Sequence, residues 1–221
     1  MRRFLDIFFL LALFPILLPL ILISIPLKMI FDGLPIFYLS KRIGRNKKDF
    51  LVFKFRTMIL DRNIIANEVA KNSKGGFEAI PISSVVYTNA GRLFEKLQIV
   101  EMPQLINIFF GQMSFVGYRP LPNSHINILN SELGLTLVDM RHKSIPGITG
   151  FAQLIGKANL TNAERIKIEI DEASFFDARG NWISKIFVYI YLILFTGLLL
   201  ISGKAPYVKT IYRALILKKD V

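Results

Sequence analysis

The chain of 221 residues has no cysteine, and its two histidines are His125 and His142. The lack of cysteine excludes disulfides and thiolate metal sites, and two histidines are too few for a histidine-rich metal site. Any bound metal is therefore expected to be a hard ion such as Mg²⁺, held by carboxylate oxygens. Glycine-rich phosphate loops of the P-loop and dinucleotide types are also absent, as are protease-like and glycosidase-like constellations.

Acidic residues are scarce: 16 Asp and Glu stand against 28 Lys and Arg, which gives a formal net charge of +12. Such an excess predicts an anionic partner, namely a phospholipid surface, a nucleic acid or a phosphorylated substrate. Apolar residues make up 52% of the chain, and the basic residues do not interleave with aromatics as in a nucleic-acid module. We therefore expect a membrane and phosphate as partners, and no nucleic acid.

Charge is missing altogether from Ile7 to Leu27. As a helix this run is roughly 30 Å long, the hydrocarbon thickness of a bilayer. A signal peptide is disfavoured because no small-x-small cleavage site follows. A straight span is disfavoured because Pro15 and Pro19 lie in mid-run and basic residues flank both ends. We favour a broken, re-entrant membrane helix over residues 1–30, with a single span as the alternative.

A second uncharged run, from Ile186 to Gly203, is only marginally long enough to cross a membrane. The basic segment after it, Pro206 to Val221, places Val208, Ile211 and Leu215 on one face. This pattern predicts a surface-lying membrane helix, with a frayed basic tail as the alternative. Residues 186–221 are accordingly predicted to be membrane-associated.

Residues 31–185 are predicted to form a small cytoplasmic α/β domain with few short strands. The segment LVFKFRTM, residues 51–58, alternates as a half-buried strand does and places Lys54 and Arg56 on one face. These two cations form either a solvated edge or a phosphate contact.

Turn residues divide the rest of this domain. Asp61 to Ile80 is polar, contains two adjacent glycines and predicts a flexible excursion. Asn89 to Val100 predicts a helix capped by Asn89, and Pro103 predicts the start of another helix that ends near Gly111.

The stretch from Ile99 to Pro120 mixes two prolines, two glycines, Glu101 and Arg119 with apolar residues. A plain core segment would contain the apolar residues without the others. The mixture therefore favours a functional site.

Six motifs together resemble the bacterial sugar transferase family, the monotopic polyprenyl-phosphate phosphoglycosyl transferases, in order over nearly the whole chain. They are RRFLDI at Arg2–Ile7, KRIG at Lys41–Gly44, FKFRTM at Phe53–Met58, GR at Gly91–Arg92, EMPQLINIFFGQMSFVGYRP at Glu101–Pro120 and PGITGFAQ at Pro146–Gln153. The resemblance implies an α/β membrane-associated fold, with a re-entrant helix broken at Pro19 and amphipathic surface helices. It also implies the cytoplasmic face of the bacterial inner membrane.

The resemblance further implies transfer of a sugar phosphate from a UDP-sugar to undecaprenyl phosphate, with Mg²⁺. This reaction starts an exopolysaccharide, an O-antigen or a glycoprotein glycan. The family's route has two steps and passes through a phosphosugar held on an aspartate. A carboxylate can attack a diphosphate once a metal and cations neutralise its charge.

The family's catalytic Asp-Glu pair reads Val100-Glu101 in this sequence. Glu101 matches the metal-binding glutamate, whereas Val100 has no lone pair with which to attack. The retained residues that the resemblance assigns to substrate or phosphate are Lys54, Arg56, Arg92, Arg119 and Gln153.

Four other positions depart from the family pattern. Glu95 stands where the family has an arginine, Gln112 replaces an aspartate, Tyr118 replaces a proline, and Ile145 replaces an arginine. We place a catalytically degenerate member, acting as the partner of an active transferase in a homo- or hetero-oligomer, slightly ahead. An active transferase with altered chemistry at Glu101, or with direct attack by the lipid phosphate, is the alternative. A ligand-free membrane-surface scaffold is the third hypothesis.

Overall fold

The structure, a computed structural model, describes residues 1–72, 80–156, 159–202 and 208–216. Within them the protein is mixed α/β, mostly helical, with two small sheets. The chain divides into two compact units: the first unit is Met1–Phe9, Arg42–Phe50 and Asn107–Val221, and the second unit is Leu10–Lys41 and Leu51–Ile106. The sequence predicted a division into residues 1–30, 31–185 and 186–221 according to their association with a membrane. The two compact units do not test that division, so it stays a prediction.

The elements follow the chain in a simple order. They are α1 (Arg2–Asp32), β1 (Phe37–Ile43), β2 (Asp49–Phe55), α2 (Arg62–Asn72), α3 (Asn89–Lys96), α4 (Leu105–Phe109), β3 (Ser114–Val116), α5 (Asn123–Leu133), α6 (Leu135–His142), β4 (Gly147–Thr149), α7 (Phe151–Ile155), α8 (Asn162–Asp177), α9 (Trp182–Ser202) and α10 (Val208–Leu215). Short 3₁₀ helices lie at Arg45–Lys47 and Ile99–Gln104.

Helix α1 is uninterrupted over 31 residues, although Pro15, Pro19 and Pro26 lie inside it. The predicted break at Pro19 is therefore not observed in the helical backbone. Proline removes one backbone donor, and a long apolar helix can continue past that single loss. By length and composition, α1 and α9 are each able to cross a membrane. The re-entrant path stays a prediction.

The first unit is organised by a short parallel sheet in which Ser114 pairs with Gly147 and Val116 pairs with Thr149. The buried Asp6 carboxylate accepts hydrogen bonds from Ser114 Oγ (2.7 Å), Phe115 N (2.9 Å) and Tyr189 Oη (2.6 Å). One side chain of α1 thereby fixes β3 and α9. The apolar cluster of the first unit consists of Ile43, Leu121, Ile126, Leu129, Val138 and Ile166.

The second unit has its own core, in which Phe55, Phe94 and Val100 pack together. Helix α3 begins after Thr88, whose hydroxyl accepts a hydrogen bond from Gly91 N at 2.9 Å. A Cβ atom on Gly91 would lie 2.1 Å from the carbonyl oxygen of Thr57. Glycine at this position is therefore a condition for packing α3 against the segment after β2.

Three expectations for the second unit need correction. The helix predicted from Asn89 to Val100 ends at Lys96, because Gln98 adopts a left-handed conformation (φ 58°) and a 3₁₀ helix follows. Thr88 caps α3 in place of Asn89. Residues 62–72 of the predicted flexible excursion form a helix, whereas residues 73–79 lie outside the described part.

The helix predicted to start at Pro103 is also displaced. Pro103 lies inside the 3₁₀ helix Ile99–Gln104, and α4 begins two residues later and ends at Phe109. The tighter 3₁₀ turn precedes the α-helix, as it often does at helix ends.

The predicted strand is confirmed as β2, but its burial differs from simple alternation. Val52 and Phe55 are buried, whereas Leu51 is exposed. The predicted C-terminal helix is confirmed over Val208–Leu215, and Val208 is buried as its apolar face requires.

The buried side of α10 nevertheless differs from the predicted one. Tyr212 is buried and its ring packs on Phe151 at a centroid distance of 5.5 Å, whereas Leu215 is exposed. Within the first unit this helix therefore packs on α7 through Tyr212, an aromatic residue with a large contact area, and not through the predicted leucine.

We predict that Gly91→Ala destabilises the protein by about 1–3 kcal/mol, because the added methyl group overlaps a backbone oxygen. Thermal unfolding in detergent measures the change. The control is Gly197→Ala in α9, where nothing lies within 4 Å of the added atom; its melting temperature should match the wild type or rise slightly. Equal melting of both variants would contradict the close approach.

Candidate functional site

Lys54 and Glu101 form the centre of the candidate site, within the second unit. Lys54 Nζ donates to Glu101 Oε1 at 2.8 Å, and the two side chains are 20% and 28% exposed. Strand β2 supplies the lysine, and the 3₁₀ helix after Gln98 supplies the glutamate. The fold thus brings two of the predicted site residues together. A partly exposed ammonium can contact a phosphate oxygen, and a partly exposed carboxylate can contact a hard metal ion.

Val100, at the position that the resemblance assigns to the nucleophile, lies in the core of the second unit. Its side chain is 7% exposed and belongs to the apolar cluster with Phe55 and Phe94. Adjacent residues of the 3₁₀ helix thus serve different purposes: Val100 contributes to the core and Glu101 to the partly exposed ion pair. A carboxylate in place of Val100 would meet an apolar environment.

Arg56 has a structural role in the second unit, and its predicted phosphate contact stays a prediction. Its guanidinium donates to the carbonyl oxygens of Pro35 (2.7 Å), Met58 (3.1 Å), Asp32 (2.6 Å) and Gly33 (3.1 Å). Four bonds occupy most of the five N–H donors of an arginine. The side chain is buried, so it holds the end of α1 and the loop after it.

Arg92 likewise supports the local backbone. It donates to the carbonyl oxygens of Ile82 (3.3 Å) and Ser84 (3.1 Å) and to Asn89 Oδ1 (3.1 Å). The side chain is partly exposed. These contacts fix the turn ahead of α3, and the predicted phosphate role of Arg92 stays a prediction.

Arg119 belongs to the first unit, where its backbone is held firmly. Arg141 Nη2 donates to the carbonyl oxygen of Arg119 at 2.6 Å, and the Arg141 guanidinium lies 4.1 Å from the ring centroid of Tyr118. Arg141 also forms a buried ion pair with Glu169. The backbone of the loop that carries Arg119 is therefore held by a buried charged network. The Arg119 side chain is partly exposed.

Gln153 also lies in the first unit. Its Nε2 donates to the carbonyl oxygen of Gly117 at 2.9 Å, so it links α7 to the end of β3. Its Oε1 is buried and has no hydrogen-bond partner among the described residues. The predicted site residues are thus divided: Lys54, Arg56, Arg92 and Glu101 belong to the second unit, and Arg119 and Gln153 to the first.

Glu172 was missed in the sequence and is fully buried in the first unit. Its Oε2 accepts a hydrogen bond from Phe151 N at 2.7 Å, and a Cβ atom on Gly150 would lie 3.0 Å from its Oε1 and 2.9 Å from Gln153 Oε1. Burial raises the pKa of the Glu172 carboxyl to about 8. The helical spacing of Glu169 and Glu172 with Ile166 and Phe176 in α8 was the signal that could have revealed it.

Two of the other positions that depart from the pattern the resemblance implies, Glu95 and Gln112, make local hydrogen bonds, and a third, Tyr118, is buried. Glu95 accepts a hydrogen bond from Thr57 Oγ1 at 3.1 Å, and Gln112 Oε1 accepts one from Asn107 Nδ2 at 2.7 Å. The hydroxyl of Tyr118 is buried and finds no hydrogen-bond partner in the described part of the chain. Glu95 and Gln112 thus take part in local structure at positions where the resemblance implies other residue types.

Among the described residues, no group of three or more Asp, Glu and His side chains is arranged to hold a metal ion. Glu101 offers a carboxylate at the site, and Lys54 engages one of its oxygens. Mg²⁺ often keeps several waters and binds through one or two carboxylates plus substrate phosphates. Glu101 therefore fits a metal that arrives with a diphosphate, and it does not fit an all-protein metal cage.

Known proteins resemble the chain over most of its length. The profile of one family, bacterial sugar transferase, matches residues 1–196. The exopolysaccharide production protein ExoY of Sinorhizobium fredii is 32% identical over 156 residues, 68% of this chain and 67% of that protein. The uncharacterized sugar transferase EpsL of Bacillus subtilis is 34% identical over 159 residues, 71% of this chain and 70% of the relative. The UDP-N-acetylgalactosamine-undecaprenyl-phosphate N-acetylgalactosaminephosphotransferase of Aeromonas hydrophila is 30% identical over 171 residues, 77% of this chain and 38% of that protein.

The raised pKa of Glu172 predicts that stability falls as the pH rises. The folded protein holds this proton up to about pH 8, whereas the unfolded chain releases it near 4.3, so the free energy of unfolding decreases by about 1.4 kcal/mol per pH unit in between. Burial lowers the pKa of His142 to about 4, which acts in the opposite direction below pH 6.5 and leaves the window from about 6.5 to 8 to Glu172.

The test compares thermal unfolding of the wild type and of Glu172→Gln across that window. The amide keeps an acceptor for Phe151 N and removes the titration. The wild type should lose stability relative to the variant as the pH rises. Parallel pH profiles would contradict a protonated Glu172.

Proposed function

Because the chain belongs to the bacterial sugar transferase family, we propose that it acts in the assembly of polyprenyl-linked surface glycans without forming the aspartyl intermediate. In this proposal it is a transferase-like partner of an active transferase. The names of its relatives support the pathway: one is an exopolysaccharide production protein and another transfers an amino-sugar phosphate to undecaprenyl phosphate.

The position of Val100 carries this proposal. An aspartate nucleophile must reach the phosphorus atom of a bound diphosphate, so its carboxylate has to face the substrate. Val100 faces the apolar cluster and has no nucleophilic atom. A core residue of the second unit thus occupies the position at which the family's nucleophile is expected.

Lys54 and Glu101 support retention of ligand binding. The Lys54 ammonium would neutralise an oxygen of the UDP-sugar diphosphate, and Glu101 would hold Mg²⁺ that accompanies it. Bound Mg²⁺ would supply further neutralisation of the diphosphate charge. The protein would then bind a UDP-sugar without covalent transfer through its own side chain.

Helices α1 and α9 support attachment to the membrane. Only 6% of the most apolar window of α1 is buried inside the protein, which leaves its surface available to lipid. We place the protein in the bacterial inner membrane with its polar residues on the cytoplasmic face, where UDP-sugars and the phosphate of undecaprenyl phosphate meet.

A second candidate function is favoured by the same Lys54–Glu101 pair, because both residues remain partly exposed. In this alternative an oxygen of the lipid phosphate attacks the sugar-linked phosphorus of the UDP-sugar directly. The new P–O bond joins lipid and sugar phosphates, and the broken P–O bond releases UMP. Positioning and charge neutralisation account for most of the acceleration in phosphoryl transfer, so a protein nucleophile is not essential.

We predict that the purified protein releases no UMP above background from UDP-sugars with Mg²⁺ and undecaprenyl phosphate, because it lacks the nucleophile. A relative with the intact Asp-Glu pair is the positive control. Robust UMP release that Glu101→Gln abolishes would overturn the proposal and establish the second candidate. Release that survives Glu101→Gln would overturn both.

Val100→Asp provides an independent prediction. We expect a loss of at least about 2 kcal/mol in the free energy of unfolding, because a carboxyl group enters an apolar cluster. The isosteric control Val100→Thr adds a hydroxyl without charge and should lose less. Unchanged thermal stability of Val100→Asp would contradict the core role, and new UMP release by this variant would mean that the rest of the site is competent.

A further inference from the structure

A cavity of about 580 Å³ lies within the first unit, where the starts of α1 and α9 meet the end of α8. Its lining includes Arg2, Arg3, Arg45 and Lys185. The residues assigned above to the family's chemistry, Lys54 and Glu101, do not line it. The cavity is therefore a feature that the transferase resemblance leaves unexplained.

The charge of the cavity is positive. Two carboxylates, Asp6 and Asp177, accompany the four cations. The Asp6 carboxylate is occupied by three hydrogen bonds inside the fold, and Asp177 forms an ion pair with Arg2. Arg3, Arg45 and Lys185 thus remain as positive charge in excess of that local pair.

The cations are pre-positioned by backbone carbonyls. Arg45 donates through Nε to the carbonyl oxygen of Lys143 at 3.1 Å, and Lys185 donates to the carbonyl oxygen of Ala178. The bond of Arg45 uses one of the five N–H donors of its guanidinium, and that of Lys185 one of its three. Such anchoring lowers the entropy that these side chains lose when an anion binds.

Exposed apolar side chains come from the same two helix starts. Phe4 of α1 is 74% exposed, and Trp182 of α9, which also lines the cavity, is 63% exposed. Ile183 and Phe187 continue this surface along α9. Cations combined with exposed tryptophan and phenylalanine are typical of a surface at the lipid–water boundary.

We propose that this cavity binds the phosphate group of an anionic phospholipid headgroup, with Arg45 and Lys185 as contacts and Trp182 beside the glycerol region. The proposal rests on the membrane attachment included in the proposed function, but not on catalysis. A phospholipid is favoured over free phosphate because the apolar residues beside the cavity would otherwise stay in water. The site would fix the starts of α1 and α9 against the membrane surface.

Trp182 is the only tryptophan of the chain, so its fluorescence reports on this cavity. The full chain in neutral detergent is titrated with dihexanoyl phosphatidylglycerol, dihexanoyl phosphatidylcholine or inorganic phosphate. We expect a saturable emission change with phosphatidylglycerol and an affinity about tenfold lower for phosphatidylcholine, since charge-assisted hydrogen bonds to a net anion are the stronger ones. Equal affinity for both lipids, or saturation by inorganic phosphate alone, would overturn the proposal.

Arg45→Glu tests the contact, because Arg45 is exposed and its replacement leaves the core intact. The matched control Lys48→Glu makes the same charge change in the same segment, at an exposed residue outside the cavity lining. We expect Arg45→Glu to weaken phosphatidylglycerol binding about tenfold and Lys48→Glu to change it less than about twofold. Equal effects of the two variants would mean a diffuse surface charge and would overturn the site.

These measurements do not depend on glycan chemistry. If UMP release contradicts the proposed function, selective phosphatidylglycerol binding would still support the headgroup site. If the protein binds phosphatidylglycerol and phosphatidylcholine equally and releases no UMP, the headgroup site is overturned and the proposed function still stands. For Arg45→Glu, an unchanged melting temperature and unchanged Trp182 emission without ligand verify the fold, and Arg45→Gln, which removes the charge without reversing it, should give an intermediate affinity.

Discussion

One buried carboxylate, Asp6, is the interaction on which the first unit depends. It accepts three hydrogen bonds, from a side chain and a backbone amide of β3 and from the Tyr189 hydroxyl of α9. A charge that is removed from water is tolerated only when such donors surround it, and removal of the donors would leave it uncompensated. The start of α1 is thereby part of the first unit, whereas most side chains in the middle of that helix are apolar and exposed, and Lys28 near its end is buried. The proposed membrane attachment and the folding of the first unit thus depend on one helix.

The motifs by which the sequence resembles its family are largely structural in this protein. RRFLDI contributes Asp6, FKFRTM contributes the buried Arg56, and GR contributes Gly91, whose missing side chain admits a carbonyl oxygen. Resemblance of motifs therefore identifies the fold more firmly than the reaction. Lys54 and Glu101 of the candidate site are partly exposed, whereas Val100, which precedes Glu101, is part of the core.

The sequence predicted those features that depend on local patterns. Strand β2, helix α9 and helix α10 follow from their apolar spacing, and the family follows from the order of motifs. It did not predict roles that depend on distant carbonyls. Arg56 follows Lys54 by two residues and resembles a phosphate contact in the linear chain. Only the fold brings four carbonyl oxygens to it, from the end of α1, the loop after α1 and the segment after β2. Glu172 was missed because its raised pKa comes from burial in the folded unit. Its neighbours in the sequence do not reveal that pKa.

The three prolines inside α1 leave some of its backbone carbonyl oxygens without their usual hydrogen-bond donor. An α-helical carbonyl normally accepts the N–H four residues later, and proline has none. The carbonyl oxygens of Leu11, Pro15 and Leu22 therefore lack that intrahelical donor, because Pro15, Pro19 and Pro26 follow at this spacing. In hydrocarbon each such oxygen is costly unless water, a hydroxyl or another chain reaches it. The helix is long enough to cross a bilayer, yet these carbonyl oxygens recur along one segment. In a membrane, the depth of the helix would therefore be set by access to donors as much as by length.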